Sequence, residues 1–164
     1  MGESERGPED FLAQFEAAFA RLQVTMLEAC QRQDHWPEGV AAATRAGLAF
    51  AAEDPAAAMV LTNGALARGA EGIARHERLI AYLGDRLRPG REEQPDGERL
   101  PDVTERAMAG GVVALVAQRL DQGRAAELAS LAPEAIQFVL TPYLGAEEAR
   151  RVAAETRPPE QTSP

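Results

Sequence analysis

Few residues in this chain are of types that do chemistry, and their spacing decides against most of it. The histidines are His35 and His76. A di-iron helical bundle needs Glu-x-x-His on paired helices, but position 32 is Arg32 and position 73 is Ile73. Spacing for a zinc site is equally absent, so no metal or other cofactor is expected. Cys30 stands alone, which excludes an intramolecular disulfide, and it reads as a buried or indifferent thiol near a helix end. The acidic pairs Glu92-Glu93 and Glu147-Glu148 read as solvated charge. No Gly-x-Ser-x-Gly, phosphate loop or dinucleotide fingerprint occurs, and enzymatic activity is not expected.

What the residues do allow is uptake of a small apolar molecule. Runs of alanine at 41–43, 49, 51–52 and 56–58 leave space that larger side chains must fill or leave open. Phe50, Met59, Met108 and Phe138 are the expected lining, with Asn63 and Tyr82 as the polar groups that fix orientation. For each of these, ordinary core packing is the competing reading. Asn63 stands out because a buried amide needs a hydrogen-bond partner.

The elements that must position these residues are helices. Alanine, leucine, arginine and glutamate dominate the chain, all good helix formers, and no β-branched run alternates with polar residues. Pro8, Pro37, Pro101 and Pro133 are each followed by an acid, and Pro55 follows Asp54. A proline at the first helical position loses no hydrogen bond, and an acid there suits the positive end of the helix dipole. The expected helices run from Pro8 to about Gln33, Pro37 to Glu53, Pro55 to Leu66 and Gly69 to Leu87. They continue from Pro101 to Gln122, with Asp102 and Glu105 spaced as a capping box. A short turn over 125–131, a helix from Pro133 to Leu144 capped by Gly145, and an exposed helix from Ala146 to Glu155 complete the set. The fold class is all-α: a helical domain over 8–155 with a mobile loop at 88–101, a disordered N-terminus at 1–7 and a disordered tail at 156–164.

Two helices carry more apolar surface than one face needs. From Met108 to Leu120, one stripe holds Met108, Val112, Leu115 and Val116, and another holds Val113, Ala117 and Leu120. Gly110 and Gly111 are costly mid-helix, about 1 kcal/mol each, and suggest a close helix crossing. Burial inside the chain's own core or against a second copy would both explain this. The next helix, with Ile136, Phe138, Val139, Leu140, Tyr143 and Leu144, favours the second copy. The expected homodimer interface is Gly110, Val113, Val116, Leu120, Ile136, Val139, Leu140 and Tyr143.

Charge narrows the remaining classes. The 164 residues carry 17 basic and 26 acidic side chains, a net charge of −9, and no basic residue is lysine. Such a balance argues against a nucleic-acid surface in this chain. No apolar run is long enough for a membrane span and the N-terminus is no signal peptide, so a cytoplasmic protein is expected.

The ordered set Asp34-His35-Trp36-Pro37, Asp54-Pro55-Ala56-Ala57-Ala58, the stretch 65–78, Gly110-Gly111-Val112 and Thr141-Pro142-Tyr143-Leu144-Gly145-Ala146-Glu147-Glu148-Ala149 resembles the C-terminal regulatory domain of TetR-family transcriptional regulators. The resemblance covers roughly Pro8 to Ala154. It implies an all-helical domain that binds a small molecule between its helices and dimerises through its last two long helices. It also implies a helix-turn-helix ahead of this domain, which the chain does not show. DNA would then be bound only through that missing unit, in a longer regulator, or the chain would be a free-standing sensor or helical interaction module.

Overall fold

The computed structural model of the protein describes residues 6–93 and 99–155. Of the stretches expected to be disordered or mobile, 1–5, 94–98 and 156–164 lie outside the described residues. The described residues are mostly helical, with no strand among them. The α-helices are α1 (Arg6–Gln31), α2 (Trp36–Glu53), α3 (Pro55–Leu61), α4 (Asn63–Leu66), α5 (Gly69–Asp85), α6 (Thr104–Asp121), α7 (Ala132–Leu144) and α8 (Ala146–Glu155).

Proline and its neighbouring acids place several of these starts. Asp54 caps α3, its Oδ1 accepting the Ala57 N–H at 3.0 Å while Oδ2 accepts from Arg21 at 2.8 Å, which ties the cap to α1. Gly145 ends α7 at φ 79, a left-handed conformation that glycine adopts at no steric cost.

Three differences from the sequence reading go beyond a residue or two at a helix end. The helix expected to run from Pro55 to Leu66 breaks at Thr62 (φ −110, ψ −103), whose hydroxyl donates to the Ala58 carbonyl at 2.8 Å. A side-chain hydroxyl bound to the backbone offers the chain an alternative to continued helix. The start of α6 is not a capping box: Val103 occupies the cap position, and Glu105 is turned into the protein, 4% exposed. Residues 125–131 form two 3-10 turns, Ala125–Glu127 and Ala129–Leu131, rather than a single short turn of helix.

The core has two main parts. One lies along α1, where Phe11, Phe15 and Phe19 stack in sequence with ring centroids 6.2 and 5.9 Å apart and pack with Leu61, Leu79, Phe50 and Val113. Glu16, on the next face of α1, accepts two hydrogen bonds from Arg78 at 3.0 and 2.6 Å and is paired with Arg75 as well. These contacts clamp α1 to α5. The other part joins α2, α7 and α8 through Val40, Leu48, Ile136, Leu140, Tyr143 and Val152. The last helix is therefore more than an exposed appendage, since Ala149, Val152 and Ala153 are buried. No helix among the described residues is long and apolar enough to cross a membrane.

Candidate functional site

A cavity of about 130 Å³ opens between the two core parts. Its wall takes Leu22 and Met26 from α1, Val40, Gly47, Leu48, Phe50 and Ala51 from α2, and Ala58 and Leu61 from α3. Leu79 and Leu83 of α5, Leu87 just beyond it, Ala109, Val112, Val113 and Val116 of α6, and Val139 of α7 add the facing side. Its cause is residue size. Ala43, Gly47, Ala51, Ala58 and Ala109 reach only a short way from their helices, so aliphatic side chains opposite them meet no partner atoms.

Polar side chains on this wall are Thr44, Thr62 and Arg86. The Thr62 hydroxyl is already committed to the Ala58 carbonyl. Arg86 reaches solvent as well as the cavity, and its guanidinium is held in place. One Nη donates to the Tyr82 hydroxyl at 3.0 Å, and its central carbon stands 4.7 Å from the centre of the Tyr82 ring. Tyr82 in turn meets Phe19 edge to face at 5.5 Å, and the Trp36 indole N–H donates to the Arg86 carbonyl at 3.2 Å.

Of the six residues expected to line a ligand site, Phe50 does so. Tyr82 lies behind the wall, supporting Arg86. Met59 packs with Ala58, Leu120 and Leu128, and Met108 is buried in the core part built on α7. Asn63 spends its amide on α6, donating to the Ala117 carbonyl at 3.2 Å and to Asp121 Oδ1 at 2.6 Å, outside the cavity. Phe138 is 51% exposed on the outer face of α7.

The expected interface residues are also redistributed. Val113, Leu120, Ile136, Val139, Leu140 and Tyr143 are buried within the chain itself, and Val116 lines the cavity. For α7 the physical reason is α8 together with α2, which cover its inward stripe, while Val113 of α6 joins the core part along α1 and Leu120 packs with Ala51, Ala58 and Leu128. Gly110 is half-buried, near the Ile80 side chain. What α6 and α7 leave outside is a different strip: Ala107, Gly111, Ala114 and Gln118 at helical spacing, with the Phe138 ring lying against Gly111.

A buried polar centre lies apart from the cavity. Arg91, in the turn Arg88–Arg91, donates to both carboxylate oxygens of Glu105 at 2.6 and 2.9 Å and to the carbonyls of Leu100 and Pro101 at 2.8 Å each. Tyr143 donates to the same carboxylate at 3.1 Å. The Arg91 guanidinium holds the Glu105 carboxyl below the usual glutamate range, with the Tyr143 hydrogen bond adding to it. Burial, with Glu105 beside it, pushes the Tyr143 hydroxyl well above the ordinary tyrosine range. Thus both ends of the segment expected to be a mobile loop are tethered. Glu105, Arg91, Thr44 and Arg86 were not singled out from sequence as site residues, because charged and hydroxyl side chains usually face water.

Among the described residues no group of three or more His, Cys, Asp or Glu could hold a metal ion. His35 precedes α2 without capping it through its side chain, and His76 Nδ1 lies 3.4 Å from the Leu61 carbonyl. Comparison with protein-family models, curated proteins and solved structures finds no match for this chain.

Proposed function

We propose that this chain is the effector-binding and dimerisation domain of a TetR-like transcriptional regulator, sensing a small, mostly apolar molecule. The observation that carries the reading is the cavity walled by six helices at the meeting of the two core parts. An apolar cavity of about 150 Å³ stays dry and takes up benzene, so 130 Å³ suits a ligand of that size. Such a ligand is smaller than the drug-sized molecules that fill pockets of about 300 Å³ and more.

Supporting features lie on either side of the cavity. Leu22 and Met26 make α1 part of the wall, so a ligand that favours one position of α1 shifts its equilibrium. In an intact regulator of the resembled kind, α1 follows the DNA-reading unit, and its tilt sets the spacing of two such units against half-sites one helical turn apart. DNA is then contacted only through that unit. On the outer face, Gly111, Ala114 and Phe138 offer a second copy a close helix crossing with one aromatic anchor, a two-fold interface of α6 and α7 from each copy.

The test is thermal denaturation with and without benzene or toluene, in parallel with Val116→Phe, which fills the cavity. Ligand at 100 times its dissociation constant adds about 2.7 kcal/mol of stability. The melting point of the unaltered protein rises and that of Val116→Phe does not. An equal rise in both, or none in either, contradicts the reading.

A further inference from the structure

We infer that the cavity's ligand carries a carboxylate, received by Arg86 with Thr44 as the second polar partner. This rests on the cavity being a ligand site, and it names the chemistry that the apolar volume alone leaves open.

Arg86 is the arginine on the cavity wall, and like Arg32, Arg68 and Arg150 it has no carboxylate partner among the described residues. Acids outnumber bases by 26 to 17, and Arg21, Arg75, Arg78, Arg88, Arg91, Arg106, Arg119, Arg124 and Arg151 each pair with a carboxylate. Among the described residues no carboxylate pairs with Arg86, although it lines the cavity. A guanidinium has five N–H donors in a fixed fork that matches the two oxygens of a carboxylate. Here one Nη is engaged, by the Tyr82 hydroxyl.

The position is prepared in advance. The Tyr82 ring lies under the guanidinium, the Phe19 edge holds that ring, and the Trp36 indole holds the Arg86 carbonyl. Fixing a long side chain before binding lowers the entropy lost when the ligand arrives. Thr44 adds a hydroxyl able to donate or accept, whereas Thr62 has spent its donor on Ala58. One guanidinium and one hydroxyl suit a single carboxylate. The rest of the wall takes an apolar body, and with this volume a benzene-sized ring fits. The ligand class is a small aromatic or compact aliphatic carboxylic acid.

The experiment is calorimetric titration with benzoate, benzamide and benzene, using the unaltered protein, Arg86→Gln and Thr44→Val. A charge-assisted hydrogen bond supports about tenfold tighter binding of benzoate than of benzamide. In Arg86→Gln that advantage disappears while benzene binds as before, which also shows that the cavity is intact. Should Arg86→Gln lose benzene as well, Thr44→Val decides, with benzoate weakened and benzene unchanged. Benzoate binding no tighter than benzamide to the unaltered protein, with benzene still taken up, overturns the carboxylate and leaves the cavity reading standing. No uptake of any of the three overturns both.

Discussion

The Tyr143 hydroxyl, on a ring with no exposed surface, donates at 3.1 Å to Glu105 Oε1, joining the end of α7 to the first turn of α6. Arg91 reaches the same carboxylate from the turn that follows α5. Three separate segments thus meet on one acid beside the core part built from α2, α7 and α8. Tyr143→Phe is expected to cost about 1.5 kcal/mol, the worth of a buried hydrogen bond to a charged group. Glu105→Ala costs more, because it leaves both Arg91 and Tyr143 without their acceptor. Urea denaturation of both variants checks the order.

The same centre sets an acid limb. Glu105 holds its proton less readily folded than unfolded, since Arg91 and then Tyr143 favour its charged form. Its contribution is therefore complete above the ordinary glutamate value of 4.5 and is lost as pH falls through its lowered folded value. Glu16, paired with Arg78 and Arg75, has the same sign. The urea midpoint is expected to fall between neutral pH and about pH 3, and Glu105→Gln to flatten that fall. An unchanged slope in Glu105→Gln contradicts this.

Gly90 sits where no side chain fits. A Cβ there would stand 2.8 Å from the Tyr143 ring and closer still to the Trp36 ring, which meet each other edge to face at 5.3 Å. Gly90→Ala is expected to destabilise by about 1–3 kcal/mol, as overpacking does. Gly47 is the contrasting case: a Cβ there would find Met26 Sδ at an ordinary 3.5 Å. Gly47→Ala is expected to stabilise by about 0.5–1 kcal/mol through helix propensity, and to weaken benzene uptake by narrowing the cavity. Paired thermal melts and titrations read both effects.

How much of this the sequence discloses depends on the range of the cause. Helix starts were legible because proline and its acidic neighbours act within a turn, and α2, α3 and α7 begin at Trp36, Pro55 and Ala132, at or within one residue of those prolines. The break at Thr62 was not legible, because a threonine hydroxyl binds a backbone carbonyl only once the local geometry permits it. Apolar surplus on α7 was read correctly in amount and wrongly in destination. The polar-looking helix α8 covers it with Ala149, Val152 and Ala153, residues too small to announce a buried face. Small residues on α2 and α3 did announce space, and Phe50 lines it. Arg86 was missed because its role depends on Tyr82, Phe19 and Trp36 arriving from three helices.

The outer strip gives the proposed dimer its own test. Phe138→Glu places a charge where Phe138 is half-exposed against Gly111, so folding stability is expected to stay within about 0.5 kcal/mol. Light scattering is expected to show a dimer for the unaltered protein and a monomer for Phe138→Glu. A monomer in both cases would refute the proposed interface.

The central claim is that the space between the two core parts receives a small apolar molecule. Methyl NMR during a benzene titration measures this directly. Saturable shifts are expected at Leu22, Leu79, Val112, Val113 and Val116, which line the cavity, while Val152, in the core of α8 and away from its wall, stays in place. Shifts absent from the cavity methyls up to the solubility limit of benzene, or confined to the surface around Phe138, would contradict it.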